Sequence, residues 1–125
     1  DSVLFPVNFV LYSQGHFGPQ VVKRAQEKGI GRLALKAMAR THWTEGGERT
    51  HPKCWYQPIS DPEEASLALR FTLSEAITAA IPPGDSGLFR MALDLAARFK
   101  PLTEEERTKL FQRAEGLTPI FKHTI

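Results

Sequence analysis

Three short apolar runs, at residues 3–11, 32–38 and 77–81, are each followed by turn-forming residues and then by a stretch of helical period. This alternation limits the possible folds more than any other feature of the chain. The runs lack a 3.6-residue period, and the first is rich in β-branched and aromatic side chains, which predicts strands buried on both faces. Strands separated by helices pair in parallel through right-handed βαβ units. The expected order is strand, helix, strand, loop, helix, strand, helix, helix, an α/β chain with three parallel strands and four helices. A small three-layer domain and a segment of a (β/α)8 TIM barrel both satisfy that order. A whole barrel takes about 250 residues, and this chain has 125, so residues 1–125 form at most one domain.

Local punctuation sets the expected boundaries. Pro6 lacks an N–H and points to an edge or irregular position in the first strand. Pro19 suits a first helical turn, where its missing donor would have had no partner, and Gly29 suits the left-handed position that ends that helix. Residues 40–60 read as a long polar loop around Gly46 and Gly47, and loops of that length are usually functional. Asp61-Pro62-Glu63-Glu64 is a strong helix start, with a capping aspartate and two carboxylates facing the positive end of the dipole. Ser86 is expected to cap the next helix, which is apolar nearly all round apart from Arg90, Asp94 and Arg98. Thr103 with Glu106 has the form of a capping box at the start of the last helix.

Composition excludes several classes. A net charge of +2 with scattered basic residues gives no footprint for nucleic acid or a membrane surface. No apolar run approaches the ~18 residues of a membrane span. The single cysteine, Cys54, has no partner for an internal disulfide, which fits a reducing, cytoplasmic setting. The chain opens on Asp1 and enters an apolar run at Val3 with no leader, so the expectation is that either the start of a longer protein has been removed or the gene was truncated.

Four pieces in order resemble one family. Val7-Asn8-Phe9-Val10-Leu11 with Gly15-His16-Phe17-Gly18-Pro19-Gln20-Val21-Val22 is similar to the sixth strand and helix of a bacterial subgroup of aldo/keto reductases. Gly29-Ile30-Gly31-Arg32-Leu33-Ala34-Leu35-Lys36-Ala37-Met38-Ala39 resembles the seventh strand, Leu67-Ala68-Leu69-Arg70-Phe71-Thr72-Leu73-Ser74 the seventh helix, and Ile77-Thr78-Ala79-Ala80-Ile81-Pro82-Pro83-Gly84 the eighth strand and its turn. The resemblance runs from about residue 3 to residue 121. It implies the C-terminal part of a barrel that binds NADPH at the carboxyl ends of its strands and reduces carbonyls. The family's catalytic aspartate, tyrosine, lysine and histidine lie on the first half of the barrel, so no catalytic residue carries over and the chain alone is expected to be inactive.

The candidate cofactor-binding residues are Lys36, Gly84, Ser86 and Arg90. Lys36 follows Leu33, Ala34 and Leu35 near the end of a buried strand, where it would meet a cofactor phosphate or a substrate carboxylate; otherwise its stem packs while its amine reaches solvent. The strand-to-helix segment Pro82-Pro83-Gly84-Asp85-Ser86 has the geometry of an anion site, because unpaired N–H groups point out of a helix start. The resemblance assigns it to the adenosine phosphate, with Arg90 one turn on as the charge partner. In the simpler alternative Ser86 is only a cap and Arg90 pairs with Asp94. His42, His51 and Cys54 match no metal-ligand spacing. Trp43, Trp55 and Tyr56 either line a substrate pocket or anchor the loop.

Three strands of a barrel would leave two sheet edges and the inner face without cover. Phe5, Val7, Phe9, Leu33, Leu35, Ile77 and Ala79 are expected on or near those surfaces. The expected partner is the missing N-terminal half-barrel or a second copy of the chain, giving a homo-oligomer. A truncated, non-catalytic, self-associating interaction module is the alternative function.

Overall fold

The computed structural model describes residues 1–124. Three strands, β1 (Ser2–Pro6), β2 (Gly31–Leu35) and β5 (Ala79–Ala80), form one parallel sheet in the order β1-β2-β5. Four helices connect and flank them: α1 (Pro19–Glu27), α2 (Pro62–Ser74), α3 (Ser86–Ala97) and α4 (Glu104–Ala114). The chain is thus an α/β fold with sequential parallel strands, and no closed barrel is formed. No helix among the described residues is long and apolar enough to cross a membrane.

The first apolar run behaves differently from expectation. Only its first part is a strand; β1 stops at Pro6, and the chain turns inward through a helical turn at Phe9 and Val10 and a π-helical turn, Leu11–Gly15. Pro6 falls where an N–H would face the free edge of the sheet, so it costs no ladder bond, and Val7 makes the last one, its N–H donating to Leu35 O at 2.9 Å. Val7 and Phe9 are therefore buried, not on the open sheet surface. β1 is also not covered on both faces: Leu4 is 53% exposed. In register, Leu4 lies beside Leu33 and Leu33 beside Ala79. Side chains alternate along a strand, so Leu4, Leu33, Leu35 and Ala79 share one face. Val3, Phe5 and Ala34 share the other, where Ala34 packs with Val7 and Val22 against α1. Helices cover one side of the sheet and leave the other apolar and open.

The second strand also ends early. Lys36 has φ 65, a left-handed conformation that breaks the ladder, so β2 closes at Leu35 and not at Met38. The stretch expected to be a long loop contains a second, antiparallel sheet of β3 (Ala39–His42) and β4 (Tyr56–Pro58). The Trp43 indole N–H ties this hairpin together by donating to Cys54 O at 2.7 Å. Hairpin, α2, α3, α4 and the π-helical turn enclose the main core around Phe9, Leu11, Met38, Ile59, Phe71 and Leu110.

The helix starts follow the sequence closely, with one correction. Asp61 accepts from Glu64 N–H at 2.9 Å, and Thr103 and Glu106 form the reciprocal capping box. Asp85 caps α3 in place of Ser86, accepting from Leu88 N–H at 3.0 Å. α3 buries only Leu88 and Ala92 and leaves Phe89 and Leu93 exposed, which accounts for its apolar surface: two of its large side chains face outward. Arg90 and Asp94 form no ion pair; the carbonyl of Asp94 instead accepts from Arg98 Nε at 3.3 Å.

Gly18 is the glycine with the firmest requirement. Its φ is 121, and a Cβ there would lie 2.6 Å from Tyr12 Cε1. Strain in this region costs about 1–3 kcal/mol per residue. Gly18→Ala should therefore lower the urea midpoint by an amount equivalent to at least that range, and an unchanged midpoint would show that the α1 entry relaxes freely.

Candidate functional site

The carboxyl ends of parallel strands are where α/β folds place their ligands, because loops diverge there and leave a crevice. Here β2 ends in Lys36 and β5 leads into Pro82, Pro83 and Gly84, and the hairpin lays Tyr56 across the gap. Leu35, Lys36, Ala37, Tyr56, Ile81, Pro82, Pro83 and Gly84 line a crevice of about 60 Å3. A water needs about 10–15 Å3 of such space, so the crevice takes a few waters or the head of a ligand and not a whole dinucleotide.

Lys36 is half-buried, and its position is fixed from two sides. Its carbonyl accepts from Asn8 Nδ2 at 3.0 Å and from Ala39 N–H at 3.1 Å. Its ammonium lies 4.9 Å from the Tyr56 ring centre and 5.5 Å from that of Trp55. Aromatic faces attract a cation without neutralising it. None of the ion pairs among the described residues includes Lys36. A positive charge therefore stands at the strand end with no anionic partner.

Two further groups sit behind it. Burial pushes the Cys54 thiol up, against a hydrogen bond from Tyr56 that pulls it down. Burial, with Cys54 beside it, also raises the Tyr56 hydroxyl. Both stay protonated at neutral pH, so Cys54 is a packed thiol and not an activated nucleophile. No group of three His, Cys, Asp or Glu able to hold a metal occurs among the described residues.

The structure brings together only some of the residues singled out in the sequence. Lys36 and Gly84 line one crevice. Ser86 and Arg90 are exposed on the first turns of α3, and one N–H of that helix start is already taken by Asp85. Of the aromatic residues, Tyr56 lines the crevice, Trp55 touches the lysine, and Trp43 anchors the hairpin. Sequence reasoning missed Asn8. It is 1% exposed, donates to Lys36 O and accepts from Leu11 N–H at 2.8 Å. The signal was available: a lone amide inside an apolar run must find partners for all its polar atoms.

No protein-family model, no curated protein and no solved structure matches the chain.

Proposed function

We propose that the chain is the strand-six-to-eight segment of an aldo/keto reductase-like barrel, a part of an NADPH-dependent carbonyl reductase that supplies cofactor contacts and carries no catalysis of its own. The observation that supports this most is the combination of sequential parallel strands, helices on one face only, and an unneutralised lysine at the strand ends. An isolated three-layer domain would cover both faces of its sheet; a barrel segment leaves the inward face without cover, and here that face has Leu4 and Ala79 exposed and Leu33 and Leu35 half-buried. In this reading the 84–90 segment holds the adenosine phosphate of NADPH, with Gly84 leaving the backbone accessible, Ser86 donating, and Arg90 supplying charge one turn on. Lys36 faces the crevice where the reacting end of the ligands would lie.

Adenosine 2′-phosphate tests the cofactor assignment. Its addition to the 15N-labelled protein should move the amide resonances of residues 84–90 saturably, and Arg90→Leu should abolish the shift. Unmoved resonances at millimolar ligand would sink the assignment. The second function, a non-catalytic self-associating module, is favoured by the exposure of Leu4 on an edge strand.

A further inference from the structure

β1 has a free edge with the chemistry of a strand acceptor. Gly31 N–H donates to Asp1 O at 3.0 Å, and Val7 N–H donates to Leu35 O at 2.9 Å. Backbone groups two residues apart on a strand point the same way, so those of Val3 and Phe5 also face β2. Those of Ser2 and Leu4 face outward, along the edge that no strand covers, and both residues are exposed. The opposite edge, β5, is only two residues long and offers too little ladder to dock on. Beside the β1 edge, on the helix side of the sheet, lies a groove of about 310 Å3. Val3, Val21, Ala25 and Ile30 give it an apolar floor, and the exposed Arg24 and Lys28 stand at its rim. Lys28 joins no ion pair among the described residues. Arg24 pairs with Glu27 at 3.2 Å, with both side chains exposed, and such a pair exchanges readily for another carboxylate.

We propose that the β1 edge takes an extended peptide segment with an apolar middle and acidic ends, added as a further strand. Its backbone pairs with Ser2 and Leu4, an apolar side chain enters the groove, and a carboxylate meets Lys28 and Arg24. A helix in the same groove would cover the Leu4 N–H without giving it a partner, and an unpaired backbone group away from water is costly. A second copy of β1 matches the backbone but not the charge, because Ser-Val-Leu-Phe-Pro brings no carboxylate; it competes for the same groups. This docking depends on the edge alone and not on the reductase reading.

The probes are labelled acetyl-Glu-Glu-Val-Leu-Val-Glu-Glu-amide and the same peptide with lysine in place of each glutamate, added to the 125-residue protein. At low salt the acidic peptide should bind about tenfold tighter than the basic one by fluorescence anisotropy, and it should slow hydrogen exchange at the Leu4 amide. Arg24→Glu with Lys28→Glu should reverse the preference, a result that loss of folding cannot produce. Leu4→Pro removes the outward N–H without touching the bonds to β2, a change that edge strands tolerate, and should abolish binding of the acidic peptide. Equal binding of the two peptides, a preference that survives the charge reversal, or a bound peptide that leaves the Leu4 amide exchanging freely would each overturn the proposal. So would a chain that stays self-associated and takes up neither peptide, which would make a second copy the occupant of the edge.

Discussion

Glu106→Gln should lower the unfolding free energy by about 2–3 kcal/mol at neutral pH, because it strands a buried guanidinium. Arg70 lies on α2 with 8% side-chain exposure and makes a two-pronged bond to Glu106 on α4, at 2.5 and 2.7 Å. The same guanidinium donates to the carbonyls of Lys100 and Pro101, both at 2.9 Å, which fixes the connection between α3 and α4. A neutral amide would keep the shape and lose the charge. The pH dependence has a definite sign. The hydrogen bonds from Arg70, and then from the Thr103 backbone, hold the Glu106 carboxyl down at about 2, from an ordinary value of 4.5. A depressed carboxyl stabilises the fold fully above its unfolded value and loses that contribution as pH falls toward the folded one. The difference between the wild-type protein and Glu106→Gln should thus be constant from pH 7 to about 5 and shrink between 4.5 and about 2. Urea melts at pH 7, 4 and 3 would show it, with a midpoint loss of about 1–2 M at pH 7. A pair of variants sharpens the cause. Arg70→Met with Glu106→Leu together should cost less than Glu106→Gln alone, since no charge is left buried. A gap that does not narrow on acidification would mean that the pair is only a surface contact.

The elements legible in the sequence were those whose cause is local. Asp61, Thr103 and Pro19 act on the backbone within a few residues, and each helix begins where they place it. Strand ends were less legible because they depend on partners. The β1 run continues as apolar sequence past Pro6, and what stops it is the burial of Val7, Asn8 and Phe9 among the helices, which takes the chain away from β2 after the bond from Val7. The hairpin of β3 and β4 was hidden for the same reason: thirteen polar and turn-rich residues separate two very short strands, and the packing of Tyr56 and Ile59 into the core and the bond from Trp43 to Cys54 O bring them together. Lys36 stood out because a charge closing an apolar strand is locally anomalous. Its setting, a left-handed backbone held by Asn8 and an ammonium held by Tyr56, comes from residues 28 and 20 positions away. No pattern along the chain carries that information.

The open sheet face has the largest expected consequence for behaviour in solution. Leu4 is 53% exposed at the centre of β1, an edge strand. The sequence of that strand, Ser-Val-Leu-Phe-Pro, contains no lysine or other charge to discourage pairing with another chain. On the same side lie Leu33, Leu35 and Ala79, and α3 adds Phe89 and Leu93 as exposed apolar surface elsewhere. At about 25 cal/mol per Å2, covering several hundred Å2 of apolar surface is worth several kcal/mol, a large share of a typical stability of ~5–15 kcal/mol. An edge strand is self-complementary under a two-fold axis, because one strand laid antiparallel on its copy satisfies both. The chain should therefore sediment as a dimer or larger assembly at low micromolar concentration, with β1 and the Leu4 face in the contact. Leu4→Lys should shift the population toward monomer by placing like charges across the axis, where two ammonium groups must face each other on association. It should do so without loss of the folded state, since the position is already half in water. A wild-type protein that sediments as a cooperative, folded monomer would refute this. So would an assembly that Leu4→Lys leaves intact, which would move the contact to Phe89 and Leu93 on α3.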